Sequence, residues 1–162
     1  MRRSVCLLLI LLVAVANGQK QKAPDFTLSG LNGKQFRLAD HLGKGPILIN
    51  FWATWCIPCK LEMKALKKLY RKYHRKGLQI ISIAIDDPKT VEKVRVEARI
   101  KKYPFLILLD TNSEVFHLYG GVNPPLTVLL DKHGYIVYSH DSYRKGDEHH
   151  LEQEIIPLLE KE

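Results

Sequence analysis

Cys56 and Cys59 stand three positions apart in the run Asn50-Phe51-Trp52-Ala53-Thr54-Trp55-Cys56-Ile57-Pro58-Cys59-Lys60, and their spacing suits disulfide exchange. That reaction needs one accessible thiolate and a second thiol close enough to resolve the mixed disulfide. An apolar strand, 47–51, leads into the pair, and a Lys-rich helical pattern begins at Cys59. A thiol at a helix start meets the positive end of the helix dipole and unpaired backbone N–H groups, both of which favour thiolate. Cys56, at the exposed helix start, is the expected nucleophile; Cys59, one turn in, is the shielded resolving thiol. Pro58 fits the first helical turn, where its missing N–H is not needed, and with Ile57 it stiffens the loop between the sulfurs.

Exchange also needs a proton carrier for the second sulfur. Glu62, three residues after Cys59, lies on the same side of the helix. Two readings of it stand. Packed beneath Cys59, its carboxyl would be desolvated, raised in pKa and suited to proton transfer. Left at the surface, it is an ordinary first-turn Glu stabilised by the helix dipole.

Other roles for the cysteines fit poorly. A bridge this short closes almost no loop and adds little as a staple. Zinc would need two further ligands, and the nearest histidine, His74, lies at the far end of the same helix, so no metal is expected. Among the seven histidines, the neighbours His149 and His150 point in different directions on a helix and read as surface residues. No cofactor is called for, because the two thiols carry the electrons themselves.

The elements that must hold these residues follow from periodicity and turn chemistry. Ala23 to Leu28 reads as an opening strand, Gly30 to Lys34 as a turn and Gln35 to Leu38 as its hairpin partner. Strands are expected at 47–51, 78–85 and 105–109, the second being apolar enough for burial on both faces. A helix is expected from Cys59 to Lys76, with Leu61, Ala65, Leu66, Leu69 and Tyr73 inward and Gly77 ending it. A second runs from Pro88 to Lys101 with Val91, Val94, Ala98 and Ile100 inward, and Ser113 caps a short third one to Tyr119. Leu126–Leu130 and Tyr135–Ser139 form a hairpin around Lys132-His133-Gly134, and a last helix spans Asp147 to Leu159. Strands alternating with helices before a closing hairpin and helix predict an α/β fold with a mixed sheet flanked on both faces.

Length and composition agree. At 162 residues, 46% hydrophobic and 26% charged, the chain has room for one soluble domain with a real core. Its first residues stand apart: Arg2 and Arg3 precede the apolar run 5–16, followed by small residues, as in a secretory signal. Residues 1–18 are read as that signal, cleaved after Ala16 or Gly18, and 19–162 as the domain. The alternative is a retained N-terminal membrane anchor, although the run is shorter than the ~20 residues of a spanning helix. Cys6 leaves with the signal, and without Arg2 and Arg3 the net charge falls from +8 to +6. Lys60, Lys64, Lys67, Lys68, Arg71, Lys72, Arg75 and Lys76 concentrate this charge on one helix, as a solvated face or as a docking patch for an acidic partner or an anionic membrane surface. Nucleic acid is disfavoured by the export signal and by the lack of exposed aromatics interleaved with the basic residues.

The Trp-Cys-x-Pro-Cys-Lys core, the Ala23-Pro24-Asp25-Phe26 opening and a proline ahead of an apolar strand ending at Asp131-Lys132-His133-Gly134 resemble the thioredoxin fold. Within it they are most similar to the exported TlpA/ResA-type thiol-disulfide oxidoreductases, over Ala23 to about Leu159. The resemblance implies an N-terminal β-hairpin extension to the sheet and a proton-transfer role for Glu62. It implies too that Pro125 is the cis-proline facing the cysteines, with Trp55, Ile57, Pro58 and Pro124 bordering the substrate. Asn50 stands where cytoplasmic thioredoxins carry a buried Asp. Two departures are visible. Lys64 replaces a proline of many relatives, which straightens the helix. Pro124 has no N–H to offer a substrate peptide in strand-like pairing, so weaker peptide binding is expected.

The resulting expectation is a monomeric extracytoplasmic oxidoreductase, most simply in a bacterial periplasm. It would reduce disulfides of exported proteins, apocytochromes c among them, with electrons from a membrane donor. Alternatives are a net oxidant or isomerase, a thiol peroxidase, since Ala-Pro-Asp-Phe-Thr-Leu also opens many peroxiredoxins, and a non-catalytic binding module.

Overall fold

Seven strands in the order β2-β1-β5-β4-β3-β6-β7 form one mixed sheet in the computed structural model, which describes residues 21–160. The proposed signal, its cleavage site and Cys6 lie outside the described residues. Strands β1 (Thr27–Gly30) and β2 (Gln35–Arg37) make an antiparallel hairpin, and β1 adds it to the edge of β5 (Leu106–Leu109). The centre is β3 (Ile47–Trp52), paired in parallel with β4 (Gln79–Ala84) and antiparallel with β6 (Leu126–Leu130). An edge strand, β7 (Ile136–Asp141), closes the order beside β6.

Period-two alternation divides β3 between two cores. Ile47, Ile49 and Phe51 join Ile81, Ile83, Val128 and Phe116 on one face, covered by α3 (Glu114–Leu118) and by Phe26 and Phe36 of the N-terminal hairpin region. Leu48 and Trp52 belong to the other face, packed by α1 (Ile57–Tyr73), α2 (Val91–Lys101) and α4 (Asp147–Leu159) through Leu66, Val94 and Ile155. Asn50 is the polar residue between Leu48 and Trp52 on this second face, fully buried.

Several local expectations change. The opening strand starts at Thr27, not Ala23, because Asp25 is occupied by hydrogen bonds to Arg37 and to the Ala39 N–H. Helix α1 starts at Ile57 with Cys56 as its N-cap, two residues before the expected start, and the turn His74–Lys76 tightens before left-handed Gly77. Leu61 points outward, 55% exposed, while Glu62 and Met63 turn in. It lies five residues before buried Leu66, roughly 140° around the helix. Ile100 is likewise exposed, and Pro88 precedes α2. Ser113 makes no side-chain cap; the α3 start is held by Asp110, whose carboxylate accepts the Phe116 N–H at 2.8 Å.

Gly45 (φ 127°) is required by a close approach at the sheet end away from the cysteines: a Cβ there would lie 2.4 Å from the Gly77 carbonyl oxygen. The basic face of α1 is partly paired, Lys72 with Glu152 at 2.7 Å and Lys60 with Glu97 at 3.7 Å.

Candidate active site

Strand β3 delivers the chain to the sheet's C-terminal end, where the loop before α1 is pinned by Asp86. This fully buried carboxylate accepts hydrogen bonds from the Thr54 N–H, at 2.9 Å, and from the Thr54 hydroxyl. The Cys56 N–H donates to the Ala53 carbonyl at 3.1 Å and turns the chain into the helix. Cys56 and Cys59 are joined in a disulfide across this first turn. The Cys59 N–H points at Cys56 Sγ, 3.2 Å away, so the N-terminal sulfur lies over the helix's unpaired donors. On reduction, that donor and the helix dipole stabilise negative charge on Cys56 more than on Cys59.

Accessibility differs from the simplest expectation. Cys56 is shielded nearly as well as Cys59 in the bridged state, and the exposed groups are its neighbours: Trp55 (64%), Ile57 (75%), Pro58 and, a turn later, Leu61. Opposite, the Pro124–Pro125 peptide is cis. The Pro124 carbonyl oxygen lies 3.5 Å from Cys56 Sγ, and Pro125 is buried behind it. A cleft of about 280 Å³ lies beside Pro124, lined by Val122, Asn123, Asp141 and Ser142.

Glu62 is inside, with 3% exposure, which decides between its two readings. Asn50 Nδ2 donates to Oε2 at 2.7 Å, and the Thr127 hydroxyl donates to Oε1 at 2.7 Å. Asn50 also donates to Thr127 Oγ1 at 3.3 Å and accepts from Ser82 Oγ at 3.3 Å. Burial raises the carboxyl to about pKa 7; the Thr127 and Asn50 hydrogen bonds oppose this, and the nearby Asp147 charge adds to it. A carboxyl poised there takes up and returns a proton at neutral pH with little driving force either way.

Sequence reading singled out Asn50 and Glu62 but missed Thr127 and Ser82, which bond with them. Ser82, Asn50 and Thr127 are register neighbours on β4, β3 and β6, so their side chains share one sheet face. Each is a single polar residue inside an apolar strand, and aligning those three strands was the signal available. Asp86, an acid directly after an apolar strand, was missed too. Among the described residues no group of three or more His, Cys, Asp or Glu side chains has metal-ligand geometry.

A family model described as the AhpC/TSA family matches residues 19–139. A thiol-disulfide oxidoreductase ResA of Geobacillus thermodenitrificans is 40% identical over 123 residues, covering 75% of this chain and 67% of its own length. The ResA of Geobacillus kaustophilus is 37% identical over 142 residues, 86% of this chain and 78% of that one. The chain thus spans about two thirds or more of these relatives. A crystal structure from Chlorobium tepidum, described as a candidate thiol:disulfide interchange protein DsbE, superposes with TM-score 0.77 at 31% identity, over 86% of this chain and 96% of that one.

Proposed function

The chain belongs to the AhpC/TSA family and, within the thioredoxin fold, to the thiol-disulfide oxidoreductases, and from that membership we propose that it works outside the cytoplasm as a reductase of exported proteins. The observation that carries the mechanism is the Cys56–Cys59 bridge at the start of α1 with the buried carboxyl of Glu62 one turn further on.

In the proposed cycle the dithiol form attacks first. The Cys56 thiolate, held by the Cys59 N–H, attacks a substrate disulfide; one substrate sulfur leaves as thiolate and the other is bonded to Cys56. Glu62 takes the proton of Cys59. The resulting thiolate attacks Cys56 Sγ, closes the bridge and releases the second substrate thiolate. A membrane donor then returns two electrons to the bridge. Trp55, Ile57, Pro58 and Leu61 form the apolar rim on which an extended substrate rests, while Pro125 and the Pro124 carbonyl face the reacting sulfur.

Export rests on the leader-like residues 1–18, and among the described residues no helix is long and apolar enough to cross a membrane. Oxidised apocytochromes c are one proposed substrate class. A Cys59→Ser variant should capture partners from an extracytoplasmic extract as mixed disulfides, and the pair should equilibrate with glutathione at a strongly reducing potential. A potential near that of strong oxidants overturns the direction proposed. Full exchange activity in Cys56→Ser overturns the mechanism. Peroxide consumption by the reduced protein, faster than disulfide exchange, would favour the peroxidase reading instead.

A further inference from the structure

The polar row that holds Glu62 does not stop at Thr127. In the β6–β7 register Thr127 faces His140, so Ser82, Asn50, Thr127 and His140 form one line across four strands, from the centre of the sheet to its edge. The end of that line meets a cavity of about 10 Å³ between α1, the β6–β7 pair and α4, room for one water. Glu62 lines it from α1, Tyr138 and His140 from β7, Tyr143 from the following loop, and Asp147 and Glu148 from α4. His140 is built to connect the two sides. Its Nε2 is buried without a hydrogen-bond partner, 3.5 Å from Asp147 Oδ2, while its side chain is 38% exposed.

Of the other polar groups around the cavity, Tyr143, Glu148 and Asp147 are occupied. The Tyr143 hydroxyl donates to Glu148 at 2.6 Å, and Glu148 also accepts the Gly146 N–H, which together hold it ionised against partial burial. Burial, more than the neighbouring acids, raises both Tyr138 and Tyr143, so the phenols keep their protons. Asp147 accepts the Arg144 N–H at 2.7 Å. Imidazole accepts a proton on one nitrogen and releases one from the other, and His140 has both an unpartnered buried nitrogen and a side chain that reaches solvent.

We propose that His140 is the proton outlet of Glu62: the proton taken from Cys59 crosses one cavity water to His140 Nε2 and leaves from the ring to solvent, with Asp147 steadying the imidazole. The inference rests on the proton role given above to Glu62. The account balances: Cys59 loses a proton and its sulfur bonds to Cys56, the substrate departs with the electron pair of the broken bond, and the proton reaches solvent through His140. The path lies under the sheet face and stays open while a substrate covers the mouth at Trp55 and Ile57.

The test is single-turnover oxidation of the reduced full chain by a small aromatic disulfide, from pH 5.5 to 8.5, in H₂O and D₂O. His140→Gln and His140→Phe should leave attack by Cys56 unchanged, slow resolution by Cys59 about tenfold and enlarge its solvent isotope effect. Glu62→Gln is the reference. Slow resolution in Glu62→Gln with wild-type rates, pH profile and isotope effect in both His140 variants overturns the outlet and leaves the role of Glu62 standing. Wild-type resolution in Glu62→Gln as well overturns both. If His140→Gln folds poorly, His140→Phe, which keeps a ring on the strand, decides by the same readings.

Discussion

Asn50 and Thr127 face each other across the β3–β6 pair, and each gives a hydrogen bond to the same carboxylate, that of Glu62. Two donors on one buried acid favour its ionised form, while burial favours the neutral one. Burial wins by enough to place the group near neutrality, and the margin is set by two side chains open to substitution.

Removing either donor should raise Glu62 further. A hydrogen bond to a charged group contributes about 1.5–3 kcal/mol, so Thr127→Val should move the carboxyl up by about one unit or more. The infrared carboxyl band followed against pH checks this, and an unchanged or lower midpoint would contradict the geometry.

Stability should depend on pH through Glu62 in a particular direction. Its folded pKa is raised from 4.5 to about 7, so its contribution is fully present below pH 4.5 and is lost as pH rises through 7. The difference, 2.5 units at 1.36 kcal/mol each, is about 3 kcal/mol. Glu62→Gln removes this slope. In urea unfolding, the wild type minus the variant should lose about that much between pH 4.5 and pH 8, and a parallel pair of curves would be the wrong result.

Pro124→Thr restores a backbone N–H beside Cys56. One added hydrogen bond of about 1 kcal/mol should tighten a trapped peptide roughly fivefold. Equal dissociation rates for a peptide held noncovalently by the two proteins would remove the proline from the account of substrate binding.

Two neighbouring glycines should respond differently to alanine. At Gly121 a Cβ would stand 2.2 Å from the buried Phe116 ring, whereas at Gly120 (φ 81°) it meets open space and only backbone strain. Gly121→Ala should therefore destabilise by about 2–3 kcal/mol, and Gly120→Ala by about 1–2. Chemical denaturation midpoints settle the order.

Much of this was legible in the residues. Apolar runs marked the strands, and the cysteine motif marked the reactive turn. What failed was the phase of α1 at Leu61, which reads as core and is exposed, while Glu62, for which spacing alone left burial and exposure open, is the residue that turns in. The proposed chemistry uses that arrangement, since burial is what raises the Glu62 carboxyl and the exposed leucine adds to the apolar surface beside Ile57. Thr127, Asp86 and His140 were hidden for another reason. Their meaning depends on which strands lie side by side and in what register, and one strand read alone does not carry that. The α3 start misled similarly, with Asp110 holding an N–H that Ser113 was expected to satisfy.

The sheet has two edges, and both are guarded. On one side β2 is three residues long and carries Gln35 and Arg37 outward. On the other, Gln21 to Ala23 pair with the start of β7 through the Ile136 and Ala23 N–H groups, and Ser139, His140 and Asp141 put polar side chains on its later half. A protein that met extended chains, as the proposed function requires, would risk accepting one as an additional strand and ending in an aggregate. Here such a chain finds neither edge long, apolar and free, and is left with the sulfur it can leave again.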